Sequence, residues 1–384
     1  MNVNVVFTGG GTGGHIYPGL AVADEFREIC KENKKECSVF WIGSSKGMDR
    51  NIVEKSGSAD KFYGIPSGKL RRYFSFENFI DFFKIIGGTI ASFFLLLKLK
   101  PAVVFSKGGF VSVPPCFAAK ILGIPVFTHE CDFSPGLATR LNSKFASKIL
   151  LSYKETENYF GKDKKSRLVV TGNPVRPVFY TADKKRGLDF LQLGIENSPK
   201  PILFVAGGSS GAKQINELVT ENLDFLCKYF IVVHQTGGAK AGFDEHVVSA
   251  PKEGIYKHYP FIYGEMPDVL ACADVILSRA GANSLWECAV LGKPMVLVPL
   301  CGASTRGDQV ENAAFFEKAG AALVLVGEEV SGENLKIALE KMLDTSFRKT
   351  CGIKAKELTG QKRPARIIGT LVFNEVFGDE HSDN

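Results

Sequence analysis

The residues able to do chemistry in this chain stand at glycine-rich junctions. The first is Thr8-Gly9-Gly10-Gly11-Thr12-Gly13-Gly14-His15, behind the apolar run Val3 to Phe7. It leads into a helical pattern with Ile16, Leu20, Ala23, Phe26 and Cys30 on one face. The order reads as strand, tight turn, helix start. Glycines admit positive φ and let a ligand approach the backbone, and the N–H groups that open a helix favour an anion. His15 adds an imidazole that a turn does not need, and a neutral imidazole suits general-base work near pH 7. Two further loops follow apolar runs, Lys107-Gly108-Gly109-Phe110-Val111-Ser112 and Gly207-Gly208-Ser209-Ser210-Gly211-Ala212. Three such loops at strand-to-helix junctions suggest a site built for phosphates. A fourth turn, Ser278-Arg279-Ala280-Gly281, opens a helix in which Glu287 could accept two hydrogen bonds from a ribose diol. Asp308-Gln309 and Asn312-Ala313 offer polar groups to a sugar, and His129-Glu130, ending a buried run, is a second acid–base pair beside His15.

Several classes drop out. Gly9, Gly11 and Gly14 satisfy G-x-G-x-x-G, but the second strand ends Trp41-Ile42-Gly43-Ser44-Ser45, without the carboxylate that a dinucleotide oxidoreductase places there. No G-x-x-x-x-G-K-[ST] run supports a P-loop kinase or ATPase, and no Asp-x-Asp motif indicates a bridging metal. Nine cysteines without a C-x-x-C pair suit reduced thiols in a cytoplasm. A net charge of +6 is too mild for nucleic-acid readout but useful near an anionic bilayer. The chain enters a strand at once, so no signal peptide is expected.

Positioning these residues takes two α/β domains, as 384 residues exceed one typical core. Runs at Val39–Ile42, Ala102–Phe105, Val126–Thr128 and Ile149–Leu151 alternate with helical patterns, predicting a doubly wound parallel sheet. Gly172-Asn173-Pro174-Val175-Arg176-Pro177 breaks the rhythm as a linker. It restarts with Ile202–Val205, Phe230–Val233, Val275–Leu277, Met295–Val298 and Ala322–Val326. Ile367, Ile368, Leu371, Val372 and Val376 mark a closing helix, and 379–384 a frayed tail. The expected domains are 1–173 with the helix 363–378, and 178–361, with a cleft between the carboxyl ends of their strands. In 69–99, Lys69, Arg71 and Arg72 neighbour Leu70, Tyr73 and Phe74, ahead of an aromatic helix. Its stripe Phe76, Phe79, Ile80, Phe83 and Gly87 is expected to pack in the core, with Phe82, Ile85 and Leu96 off the stripe. Glu77, Asp81, Lys84 and Lys98 leave too few apolar residues for a span of about 20. A basic, aromatic surface dipping into headgroups competes with ordinary burial.

Taken together, Thr8–His15, Gly108–Ser112, His129-Glu130 with Pro135-Gly136, Gly172–Arg176, Gly207–Ala212, Arg279–Glu287 and Gln309 with Asn312-Ala313 stand in the order seen in the MurG family. The chain resembles these bacterial N-acetylglucosaminyltransferases of glycosyltransferase family 28, which convert lipid I to lipid II in peptidoglycan synthesis, from about Val3 to about Ala365. The resemblance implies the GT-B fold, two Rossmann-like domains with the last helix returning to the first. It implies an inverting transfer of GlcNAc from UDP-GlcNAc to the C4 hydroxyl of the MurNAc sugar, with no cofactor required. His15 and Glu130 become the catalytic residues. Ile262 would read the uracil, Glu287 the ribose, Ser209 and Arg176 the diphosphate, and Asp308 and Gln309 the GlcNAc hydroxyls. Thr12, Gly13, Gly14, Asp132, Ala282, Asn283, Ser284, Leu285 and Trp286 complete the donor side. Gly10, Gly11, Gly108, Gly109 and Ser112 fall on the acceptor side. A membrane patch would comprise Lys69, Leu70, Arg72, Tyr73, Phe79, Phe82 and Ile85, placing the protein on the cytoplasmic face of the inner membrane, with lipid I, anionic lipid and cell-wall synthesis proteins as partners. The chain departs from the pattern at Cys131-Asp132, where Gln-Asn is usual, at Phe110, where Tyr is common, and at Asp308, where some members carry Gln. Other readings are a UDP-GlcNAc epimerase or glycolipid transferase of related fold, and a non-catalytic nucleotide-binding scaffold.

Overall fold

The computed structural model describes residues 2–68, 76–194, 200–208, 211–238, 241–243, 251–302 and 305–378, with side chains from 79 onward in the segment that begins at 76. The chain divides into two compact units, residues 1–176 with 363–384, and residues 177–362.

In unit 1 the strands are β1 (Val3–Thr8), β2 (Cys37–Ser44), β3 (Lys61–Ile65), β4 (Val103–Ser106), β5 (Val126–Glu130), β6 (Lys148–Leu151) and β7 (Leu168–Val170). They form one parallel sheet in the order β3-β2-β1-β4-β5-β6-β7. Its helices are α1 (Gly13–Glu32), α2 (Asp49–Ser56), α3 (Phe76–Leu99), α4 (Val113–Ile121) and α5 (Leu137–Asn142). The strand order reverses between β1 and β4, and such a switch point opens a crevice at the strands' carboxyl ends. The first two glycine loops begin there, one after Thr8 and the other after Ser106, which lie side by side in register.

Unit 2 repeats the plan with β8 (Ile202–Ala206), β9 (Ile231–Gln235), β10 (Ile255–Tyr259), β11 (Val275–Ser278), β12 (Met295–Leu297) and β13 (Ala322–Val324), in the order β10-β9-β8-β11-β12-β13. Its helices are α6 (Lys184–Phe190), α7 (Lys213–Glu221), α8 (Leu223–Tyr229), α9 (Met266–Cys272), α10 (Ala282–Val290), α11 (Asp308–Lys318), α12 (Gly332–Lys341) and α13 (Thr345–Leu358). Here the switch lies between β8 and β11, so Gly207 and Arg279 stand just beyond paired residues, Ala206 and Ser278. The last helix, α14 (Pro364–Phe377), returns to unit 1, burying Ile368, Val372 and Phe373 in the core that holds Phe26 and Ile29 of α1.

Helix α3 corrects one expectation. Phe79, Ile80 and Phe83 are not core: they are 60%, 46% and 56% exposed, and Phe82, Ile86, Ile90 and Phe94 join them outside. The packed face is instead Asp81, Gly88, Ser92, Leu96 and Leu99, all buried at helical spacing. Small residues explain the inversion. A Cβ at Gly88 would strike the Pro66 carbonyl, and one at Gly68 the Asp81 backbone, so this face approaches its neighbours too closely for rings. The segment Phe79–Leu99, 21 residues at mean hydropathy 1.8, is also long and apolar enough to cross a bilayer by length and composition. Glu77 lies outside it, whereas Asp81 and Lys84, paired at 2.6 Å, and Lys98 lie within it. Lys69, Leu70, Arg71, Arg72, Tyr73 and Phe74 lie outside the described residues.

Candidate active site

In unit 1 the first glycine loop is organised by a residue the sequence reading missed. Asp49, the first residue of α2, is fully buried and accepts Gly11 N–H at 3.0 Å on Oδ1 and Ser44 N–H at 2.8 Å on Oδ2. A Cβ at Gly10 would collide with this carboxylate, and Gly11 turns at φ +84°. Burial raises the Asp49 pKa, and the two amide donors act against that rise. A carboxylate therefore does come close behind β2, but its oxygens are taken up by backbone amides rather than presented to a ribose.

His15 lies in the first turn of α1, half-buried, with Nδ1 2.9 Å from Thr12 Oγ1. Its ring stands over the second loop: Cβ atoms at Gly108 and Gly109 would lie 3.6 and 3.2 Å from imidazole carbons. Gly108 and Gly109 both take positive φ, at +88° and +78°. The Phe110 ring rests on Gly11, so the two loops interlock. Ser112, expected on the acceptor side, is buried; its hydroxyl donates to Gly109 O at 2.8 Å and accepts from Asn142 Nδ2 at 2.8 Å. Its side chain therefore serves the loop.

His129 is corrected as an acid–base candidate. It is fully buried, its Nε2 is 3.0 Å from Gly172 O, and burial first, then the Lys107 charge, holds its pKa well below the usual imidazole value. It is a neutral side chain pinning the chain where unit 1 ends. Glu130 accepts three backbone N–H groups, from Cys131 at 2.9 Å, Asp132 at 3.0 Å and Gly136 at 2.9 Å. Its carboxylate shapes the turn that carries half-buried Asp132. Ligand atoms of Glu130, Cys131 and Asp132 gather within 4.8 Å, a consequence of this turn. At the end of the unit the Arg176 guanidinium lies over the Tyr17 ring, 5.1 Å from its centroid.

In unit 2 the third loop turns through Gly208 (φ +86°) and Gly211 (φ +75°) into α7; Ser209 and Ser210 lie outside the described residues. Arg279 joins the two sides of the switch point, donating to Gln214 Oε1 and to Val298 O at 3.0 Å each. Ala282, Leu285 and Trp286 of α10 are buried, the indole packed edge-on at 5.5 Å from the Phe316 ring centroid. Their side chains belong to the core. Asn283 and Glu287 are half-buried and Ser284 exposed. Ile262, expected to read the uracil, is 2% exposed and donates its N–H to Gln235 Oε1 at 2.9 Å. Gln309 accepts Leu300 N–H at 2.9 Å, and Asp308 pairs with Arg306 at 3.2 Å. Asn312 is fully buried, its amide on Ala280 O at 3.3 Å, and is not available to a sugar.

Comparison with known proteins bears on the same two units. Residues 5–151 match the glycosyltransferase family 28 N-terminal domain, and 202–363 the family 28 C-terminal domain. The chain is 55% identical over 404 residues, covering 99% of each chain, to the UDP-N-acetylglucosamine–N-acetylmuramyl-(pentapeptide) pyrophosphoryl-undecaprenol N-acetylglucosamine transferase of Treponema denticola. It is 47% identical to the transferase of the same name from Treponema pallidum, covering 89% of this chain and 87% of that one. Among solved structures, MurG of Acinetobacter baumannii superposes with a TM-score of 0.71 at 25% identity, covering 97% of this chain and 99% of that one.

Proposed function

The chain belongs to glycosyltransferase family 28 through both of its units, and from that premise we propose that it transfers N-acetylglucosamine from UDP-N-acetylglucosamine to lipid I, forming lipid II. The observation that carries the proposal is the near full-length likeness to the Treponema denticola transferase. The GT-B fold agrees with it, with a glycine loop at the switch point of each sheet.

Chemically, the C4 hydroxyl of the MurNAc sugar displaces UDP at the anomeric carbon with inversion, and His15 takes the hydroxyl proton. Nδ1 lies 2.9 Å from Thr12 Oγ1; in the tautomer that carries its proton on Nδ1, the hydroxyl oxygen accepts that hydrogen bond and Nε2 keeps the lone pair of the base. Negative charge on the departing diphosphate is met by Arg176, the N–H groups opening α7 and α10, and Ser209. Glu287 takes the ribose, and the Ile262 carbonyl accepts the uracil N3–H. Glu130 acts as a positioning residue, because three amides already occupy its carboxylate. The outward aromatic face of α3 rests on the anionic bilayer that holds the lipid acceptor.

The test measures UDP release from UDP-GlcNAc with and without a soluble lipid I analogue. Release only with acceptor is expected; conversion or release without it would favour the epimerase reading. His15→Ala should lower turnover by about 10²–10⁴-fold. His129→Ala should act on folding more than on turnover of the folded fraction, and near-normal turnover of His15→Ala would remove the base assignment.

A further inference from the structure

Lys107 is the first residue beyond β4, between the two glycine loops of unit 1, with its backbone N–H on Thr8 O at 2.8 Å. It is 1% exposed, and its Nζ has no hydrogen-bond partner among the described residues. Lys107 and His129 follow directly on the paired residues Ser106 and Thr128 of β4 and β5, and the Lys107 charge is felt at the buried His129 imidazole. The lysine stem packs under the first loop, where a Cβ at Gly9 would lie 3.3 Å from Lys107 Cβ; one at Gly19 of α1 would lie 3.5 Å away. No carboxylate among the described residues lies within ion-pair distance of it. His129, the titratable group that feels its charge, is itself held uncharged.

Burying an ammonium without a partner is unfavourable, and an apolar side chain of equal length would serve the fold better. A charge kept against that cost has its use elsewhere. We propose that Lys107 is a positioning residue whose buried charge attracts a diphosphate diester to the loops Gly9–Gly14 and Lys107–Ser112. Low dielectric and distance from salt leave its field less screened than that of a surface lysine, and it adds to the positive end of α1. The identity of this anion as the acceptor's diphosphate rests on the function proposed above.

Lys107→Met keeps the packed stem and removes the charge. In the full chain, the KM for a diphosphate-bearing lipid I analogue should rise about tenfold, equivalent to ~1.4 kcal/mol. The KM for UDP-GlcNAc should stay within about twofold, and the thermal midpoint should stay level or rise. An unchanged acceptor KM overturns the proposal. So does a lowered midpoint with both KM values raised, or a variant that fails to fold, since each makes the lysine structural. If the wild type transfers nothing to this acceptor, the functional reading fails separately. Calorimetric titration of inorganic pyrophosphate into wild type and Lys107→Met then decides the lysine, and equal binding sinks it.

Discussion

Asp49 illustrates how a single buried carboxylate can set the geometry of a glycine loop. Removing it in Asp49→Ala leaves the Gly11 and Ser44 amides without their acceptor, and an unsatisfied buried donor costs roughly 1–3 kcal/mol. Urea unfolding at pH 7 should show a loss of about 2 kcal/mol; a loss below ~0.5 kcal/mol would mean that water replaces the carboxylate freely. The pH dependence has a definite sign. Because burial raises the folded-state pKa above 3.8, the proton-linked part of this group's stability, separate from its bonds to Gly11 and Ser44, is fully present below pH 3.8 and is lost as pH rises through the folded value. Asp49→Asn should flatten that decline, measured as urea midpoints from pH 4 upward. Residues of this kind are hard to read from sequence. Gly11, Gly108 and Gly109 announce themselves because positive φ selects glycine, whereas Asp49 works through a fold-back after β2 that leaves no periodic trace. His129 misled for the converse reason: its type suggests chemistry, and only its burial and its bond to Gly172 show otherwise.

At the scale of elements, legibility followed burial on two faces. Central strands such as β4, β8 and β11 are apolar runs up to their last residue. The three strands absent from the sequence reading, β3, β7 and β10, are all edges, where one side is unpaired and sequences such as Lys61-Phe62-Tyr63-Gly64-Ile65 mix polar with apolar residues. Helix α3 was found but turned inside out, since hydrophobicity normally marks the packed face and here Gly88 and Ser92 do. Its outer face presents Phe79, Phe82, Phe83, Ile86, Ile90 and Phe94 to solvent, and a contiguous apolar patch of this kind marks an interaction surface. Inserting rings into the headgroup region predicts that Phe79→Ser with Phe82→Ser and Phe83→Ser lowers the partition coefficient on anionic liposomes by at least tenfold. The thermal midpoint should hold, because none of the three is buried. Undiminished liposome binding in a folded triple variant would leave this face without a membrane role.

At the scale of the whole molecule, unit 1 is closed by residues that the chain supplies last. Val372 is fully buried among Phe26, Ile29 and the sheet, and Gly369 comes so near α1 that a Cβ would lie 3.1 Å from Phe26 N. A carboxylate placed there by Val372→Asp has no partner, and burying it would consume several kcal/mol of a domain stability near 5–15 kcal/mol. Unit 2 has its own core, built on Leu203, Val205, Ile215, Leu226 and Val296, so the damage should stop at unit 1. The proposed donor contacts differ in the unit they belong to: Glu287, Ile262 and the α10 N-terminus belong to unit 2, while Arg176 ends unit 1. Transfer should vanish, yet calorimetry should still detect saturable UDP-GlcNAc binding, weakened about 10–100-fold by loss of the charge-assisted bonds from Arg176. Affinity equal to wild type would deny Arg176 its part in holding the diphosphate. Complete loss of binding, with the unit 2 melting transition intact, would move the donor's principal contacts out of unit 2.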